Sequence, residues 1–173
     1  MGYLGSPLDV SFSLLARSLA RLGREDVVLL LGGQGVSEHA ARARACYPRV
    51  EVREGVRYAG YADFAREVDL WALPYADDYV LEITWELKVA QALASGRPVV
   101  RSEGPIVART DLGRHLWLAG CDPSGFAEGL AQVLADPAAA AARARAARED
   151  VLRRYRWSAL TDELLERLSG LPS

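Results

Sequence analysis

The sequence predicts an α/β domain in which a parallel sheet is wound by helices on both faces. Apolar periods of about 2 and about 3.6 residues alternate along the chain, strand then helix. Two strand segments, residues 26–31 and 69–73, are almost continuously apolar, as strands covered on both faces must be. Units of this size, repeated, give parallel strands joined by helical crossovers. With 173 residues, no internal repeat and no linker-like stretch, the chain reads as one domain over residues 1–173. The class is the doubly wound, Rossmann-like α/β fold, with about six strands.

Each element has a local reason. Tyr3-Leu4 is the first strand and Gly5-Ser6-Pro7 a turn. Asp9 can cap a helix through Leu22, with Phe12, Leu15, Ala16 and Leu19 on one face. The strand over 26–31 runs into Gly32-Gly33-Gln34-Gly35, and Ser37 caps a helix to about Cys46. Val50-Glu51-Val52 and Val56-Arg57-Tyr58 are short strand candidates, and Asp63 starts a brief helix. After the strand over 69–73 and Pro74 comes a polar loop with Asp77-Asp78. A helix ending at Gly96 follows, then a strand over 98–101. Residues 116–119 are the last strand candidate, and helices starting near Ser124, Pro137 and Trp157 close the chain. The alanine-rich run over 138–147 belongs to a helix, because alanine is the best helix former.

Composition excludes several functions. A net charge of -2 argues against a nucleic-acid binder, which would be strongly basic. Cys46 and Cys121 stand far apart, with no CxxC and only two histidines, which fits reduced thiols and neither a disulfide framework nor a zinc site. Asp77 and Asp78 point apart and have no third ligand at helical spacing, so they read as loop solvation and no metal is expected. No stretch approaches the ~18 apolar residues of a membrane span, and the first residues lack the regions of a signal peptide. A cytoplasmic protein is expected. His115 reads as a loop histidine and His39 as a solvent-facing one. The arginines at 143, 145, 148, 153, 154 and 156 read as a solvated helix face, the alternative being contact with anionic lipid.

In sheets of this class ligands bind at the carboxyl ends of the strands. Gly5-Ser6, Gly32-Gly33-Gln34-Gly35 and the loop over 75–83 all fall there. Glycines let backbone N–H groups approach a phosphate, and a helix N-terminus behind them favours negative charge. The helix before Gly96 says more. Lys88 is the only lysine among 21 basic residues, the rest being arginine. Arg has served wherever a generic charge would do, so a retained ammonium suggests a site that wants a compact point charge. At 100° per residue Trp85, Val89, Ala92 and Leu93 should pack on the sheet. Thr84, Leu87, Lys88, Gln91 and Ser95 then form a stripe whose only charge is Lys88. An ammonium with an amide three residues on suits a phosphate oxygen and a neighbouring hydroxyl.

Leu87-Lys88-Val89-Ala90-Gln91-Ala92-Leu93-Ala94-Ser95-Gly96-Arg97-Pro98-Val99-Val100 resembles the nucleotide-sugar motif of family 4-like GT-B glycosyltransferases. The resemblance extends to the Gly32 loop, to Tyr58-Ala59-Gly60-Tyr61 before the base-binding loop, to the strand ending in Pro74-Tyr75 and to Arg154-Tyr155-Arg156-Trp157 before the last helix. It implies the C-terminal, donor-binding half of a GT-B fold, with an N-terminal acceptor domain outside this chain. It implies a nucleotide-sugar donor, a UDP-sugar, no separate cofactor, and an acceptor glycan or glycolipid in polysaccharide or glycolipid synthesis. Peripheral association of the full enzyme with the inner face of the membrane would follow.

By the same resemblance Lys88 holds the diphosphate, Gln91 the ribose or phosphate, and Leu87 and Tyr75 line the nucleotide pocket. Gly5, Ser6, Gly32, Gly33 and Tyr61 complete the donor set. From its position after the strand over 98–101, Glu103-Gly104-Pro105 either approaches the donor sugar or is a plain turn. No catalytic residue is identified, and the general base would come from the missing domain. The chain also departs from the pattern. Ile83 and Gln91 replace two glutamates, and Ser6-Pro7-Leu8-Asp9 replaces a basic pair. Lys88 with Gln91, and Pro74-Tyr75 upstream, is closer to the inverting xanthan-type glucuronosyltransferases. The missing glutamates leave open a non-catalytic partner module; half of a nucleotide-sugar epimerase is the other alternative, which would need both domains and acidic residues not evident in this chain.

Overall fold

The computed structural model describes residues 1–4, 9–76, 87–108 and 110–170. Its sheet contains β1 (Gly2–Leu4), β2 (Leu29–Gly33), β3 (Val50–Glu54), β4 (Trp71–Leu73), β5 (Val99–Ser102) and β6 (Trp117–Ala119). The spatial order is β3-β2-β1-β4-β5-β6, with every pairing parallel. The helices are α1 (Asp9–Leu22), α2 (Val36–Cys46), α3 (Tyr61–Arg66), α4 (Leu87–Ala94), α5 (Pro105–Ala108), α6 (Pro123–Ala135), α7 (Pro137–Arg154) and α8 (Trp157–Ser169). This is the doubly wound class that the alternating periods predict.

Strand residues divide between two cores by the two-residue period. Tyr3, Leu29, Leu31, Ala72 and Val100 pack against α1, α2 and α6. Leu30, Trp71, Leu73 and Val99 face the other way, against α3, α4 and the second half of α7. Helix starts follow local chemistry. The Asp122 carboxylate accepts the Ser124 and Gly125 N–H groups at 2.8 and 3.2 Å, and Asp136 accepts that of Ala139 at 2.9 Å. Each cap precedes a proline at the first helical position, where a missing N–H costs nothing.

Several boundaries differ from the sequence reading. Residues 56–58 form no strand. Gly55, at φ 73°, turns β3 away from the sheet, and the chain enters a 3-10 turn at Tyr58–Gly60. Helix α3 consequently begins at Tyr61 rather than Asp63. Strand β2 runs through Gly33, so Gly32 and Gly33 belong to the sheet and not to the loop beyond it. The expected Ser37 cap is also displaced. Gly35, at φ 71°, takes the cap position, and Ser37 lies inside α2. The readings placed on Gly5, Ser6, Asp77, Asp78, Ile83 and Trp85 lie outside the described residues.

Candidate functional site

The strand order reverses between β1 and β4. Chain leaving β1 turns toward β2, and chain leaving β4 turns toward β5, so a crevice opens at their carboxyl ends. Lys88 sits in the first turn of α4, with Val89, Ala92 and Leu93 buried behind it on the sheet. Its Nζ lies 5.4 Å from the centroid of the Tyr3 ring. Helix α4 packs in one core and Tyr3 in the other, so the ammonium reaches across the sheet's edge at the reversal. A cation over an aromatic face is attracted by the ring quadrupole. Burial pushes the Tyr3 phenol up to about 12, so the ring stays neutral beneath the charge.

Beside Lys88 lies a cavity of about 220 Å³, walled by Leu4, Tyr58, Tyr61, Trp71 and Gln91 among others. Its aromatic wall is rigidly held. Tyr61 stacks on Trp71 at 5.8 Å between centroids and 1° between planes. The Trp71 indole N–H donates to Ser95 Oγ at 2.9 Å, and the Ser95 hydroxyl donates to the Ala92 carbonyl at 2.6 Å. The Tyr61–Trp71 pair is thus tied to the end of α4. Among the described residues the charged groups lining this cavity are Lys88 and Arg57, and no carboxylate or imidazole joins them. The cavity can hold an anion beside a planar or sugar-like group.

The structure brings Lys88, Gln91 and Tyr61 together, and of the other expected site residues that are described, Gly32, Gly33, Tyr75 and Leu87 do not line this cavity. Gly32 pairs with Leu4 in the sheet, and a Cβ on it would lie 2.4 Å from Phe64 Cε2 and 2.7 Å from Leu4 Cδ1. Its lack of a side chain lets α3 close on the sheet. Gly33, at φ 139°, ends the strand, and its carbonyl accepts the Gly55 N–H at 2.8 Å. The α2 N-terminus that follows already holds a carboxylate. Glu54 accepts the Gly35 N–H at 2.7 Å, the Ser37 N–H at 3.1 Å and the Ser37 hydroxyl at 2.6 Å. The Ser37 hydroxyl and the Gly35 N–H hold Glu54 below the usual carboxylate range.

Tyr75 is buried beneath the carboxyl end of β4, its N–H donating to Ser102 Oγ at 2.9 Å and its ring 5.1 Å from the Arg101 guanidinium. Leu87 is exposed at the start of α4. Neither lines the Lys88 cavity. Sequence reasoning missed Arg101, fully buried in β5 with its guanidinium donating to the Ser102 carbonyl. An arginine inside an apolar strand run was the available signal, because buried arginines are rare.

Residues 2–136 match the sequence profile of the family described as glycosyl transferases group 1. The chain belongs to that family. No curated protein sequence matches the chain. Among solved structures, the domain resembles Anabaena HepE in complex with UDP at a TM-score of 0.79 and 17% identity, covering 98% of this chain and 48% of HepE. The HepE complex with UDP-glucose superposes at 0.77, with the same identity and coverage. Sucrose-phosphate synthase from Thermosynechococcus elongatus follows at 0.73 and 21% identity, covering 96% of this chain and 44% of that one. These likenesses show the GT-B fold. The chain spans about half the length of the structures it matches.

Other polar residues of this glycosyltransferase domain serve its architecture. His115, read from the sequence as a loop histidine, ends the 3-10 turn Asp111–His115, and its Nε2 lies 2.9 Å from Asp150 Oδ2 in a nearly buried pair. His39 is half-buried and stacks on Phe12 at 5.6 Å and 12° rather than facing solvent. Of the arginines expected on a solvated face, Arg145, Arg148, Arg153 and Arg156 are exposed, whereas Arg143 and Arg154 are half-buried. Arg143 donates to the Arg114 and Leu116 carbonyls at 2.7 Å each, and Arg153 and Arg154 each reach Asp150 at 2.7 Å. Among the described residues no cluster of three or more His, Cys, Asp or Glu is arranged to hold a metal ion. No described helix is long and apolar enough to cross a membrane.

Proposed function

We propose that this chain is the donor-binding domain of a glycosyltransferase that takes a UDP-sugar, its acceptor being held by an N-terminal domain outside the chain. The observation that carries the reading is Lys88, which projects over Tyr3 at the reversal of strand order and borders a cavity shared with Gln91 and Tyr61. The HepE structures, solved with UDP and UDP-glucose, support the choice of nucleotide. Lys88 meets the diphosphate and Gln91 the ribose or phosphate. Leu87, Tyr75, Gly5, Ser6, Gly32 and Gly33 remain members of the wider donor set.

In the reaction an acceptor hydroxyl attacks the anomeric carbon, the bond to the diphosphate oxygen breaks, and the nucleoside diphosphate departs. A fixed ammonium stabilises the charge that develops on that leaving oxygen. The hydroxyl proton goes to a base supplied by the other domain. The Lys88 and Gln91 pair, with Tyr75 upstream, favours an inverting transferase of the xanthan type acting on a glycan or glycolipid acceptor. Such an enzyme would work in the cytoplasm, at the inner face of the membrane, in polysaccharide or glycolipid synthesis, with no separate cofactor. Calorimetric titration with UDP, GDP and ADP tests the reading. Saturable binding of UDP, tighter than that of the purine diphosphates, is expected, and binding of none of the three would overturn it.

A further inference from the structure

We propose that the groove between α3 and α4 is a second anion site, distinct from the Lys88 cavity, for a ligand carrying two or more phosphate groups. The groove encloses about 580 Å³, against about 220 Å³ beside Lys88. The two share Tyr58, Tyr61 and Gln91, which form the divide between them. Beyond that divide the groove follows α4 away from Lys88 and is walled by Arg66, Arg97 and Arg148. Its floor is Ala62, Ala65 and Ala94, small side chains that leave the space open. Among the described residues no carboxylate lines it.

Arg24, Arg53, Arg114, Arg153, Arg154 and Arg167 each form an ion pair with a carboxylate. Arg66, which also lines the groove, pairs with Asp63, and both side chains are exposed. Arg97 and Arg148 form no ion pair among the described residues, as is also true of Arg17, Arg21, Arg49 and Arg57, so their charge is not spent on a described carboxylate of the chain.

The groups are also held in place. The Arg148 guanidinium donates to the Ala94 carbonyl at the end of α4. Its stem crosses Gly96, where a Cβ would stand 3.1 Å from Arg148 Cδ and where φ is +74°. The Arg97 N–H donates to Ser95 Oγ at 3.3 Å, the same oxygen that accepts the Trp71 indole N–H, so the turn carrying Arg97 is anchored to the core. Guanidinium forks match phosphate oxygens two at a time, and a pre-ordered fork loses little entropy on binding. Arg97 and Arg148, with Arg66 shared with Asp63, together exceed what a single phosphate can engage. Tyr58, 82% exposed at the mouth, offers a ring face to whatever carries the phosphates.

Inorganic tripolyphosphate and glucose 1,6-bisphosphate distinguish a bare polyphosphate from a phosphorylated sugar. Each is titrated calorimetrically onto the chain, alone and with saturating UDP. At least one should bind in both conditions. The double variant Arg66→Gln/Arg97→Gln should weaken that binding tenfold or more while keeping its melting temperature and its UDP affinity. Arg148→Lys, which keeps a charge and loses the fork, should weaken it severalfold. The titrations without UDP remain readable if the chain binds no nucleotide, so the site stands or falls apart from the donor reading. Complete displacement by UDP, equal binding by the double variant, or no binding of either probe would each overturn the proposal.

Discussion

Lys88 and Gly32 each answer to one measurable contact. The Lys88 ammonium sits 5.4 Å from the Tyr3 ring centre, and its helix buries Val89, Ala92 and Leu93 without help from the charge. Lys88→Ala should therefore leave the unfolding midpoint nearly unchanged. It should weaken UDP binding by about 1.5–3 kcal/mol, the size of a hydrogen bond to a charged partner. Uridine, which lacks the phosphates, should bind as before, and Lys88→Arg should rescue only in part because the planar fork is larger and differently aimed. Equal losses for uridine and UDP in calorimetry would make Lys88 a structural residue. Gly32→Ala makes the opposite kind of change. Its Cβ would meet the Phe64 ring at 2.4 Å, so α3 or the ring must shift. Overpacking of this kind costs about 1–3 kcal/mol, readable as a lower urea midpoint. A Gly32→Ala protein as stable as wild type would show that α3 yields freely.

At the scale of elements, Asp150 joins α7 to the 3-10 turn Asp111–His115. Its carboxylate lies within 2.6–2.9 Å of Arg114, His115, Arg153 and Arg154. The His115 imidazole first, then these guanidinium groups, hold Asp150 well below the usual carboxylate range. Because the folded carboxyl binds its proton less readily than the unfolded one, its stabilisation is present above the unfolded value of about 3.9. It is lost as the pH falls from there toward the folded value. Asp150→Asn should cost about 1.5–3 kcal/mol at neutral pH, near one charge-assisted bond rather than four, since the exposed arginines can rehydrate. The difference in urea midpoint from wild type should hold from neutral pH to about 5 and shrink below about 4. A difference that grows toward acid would contradict this. Helix α8 buries none of its residues, and Leu164, Leu165 and Leu168 are all more than half exposed. Replacing any of the three with serine should change the stability of this chain by no more than about 0.5 kcal/mol. The starts of α6 and α7 were legible because an aspartate and a proline stand side by side at each. The start of α2 was not, because Gly35 holds the cap position and the carboxylate that accepts its N–H comes from Glu54 at the end of β3. Residues 56–58 look like a strand in composition, but a left-handed Gly55 turns them out of the sheet.

For the molecule as a whole, the alternation of periods made the sheet and its two cores legible, whereas the order β3-β2-β1-β4-β5-β6 emerges only in three dimensions. That order decides where the site is, because it brings Lys88 of α4 over Tyr3 of β1 from across the reversal. Sequence spacing singled out Lys88 and Gln91 correctly as neighbours on one helix face. The family resemblance put Tyr61 in the donor set, but nothing in the sequence showed the stack on Trp71 that holds it there, which is a contact between α3 and β4. The resulting cavity is lined, among the described residues, by two cationic groups and no carboxylate or imidazole. It can attract a diphosphate, but it offers nothing to take a proton from an incoming hydroxyl and nothing to aim that hydroxyl. Holding both reactants in register accounts for a large part of such a barrier, about 7–11 kcal/mol in well-oriented cases. A chain that spans about half of its structural relatives should therefore separate the two tasks. Supplied with UDP-glucose and simple sugar acceptors, it should bind the donor and form no glycoside above the uncatalysed rate, as followed by release of UDP and by mass spectrometry of the acceptor. Sustained transfer by this chain alone would mean that it carries its own base and acceptor site, and the reading of it as a donor-binding half would be lost.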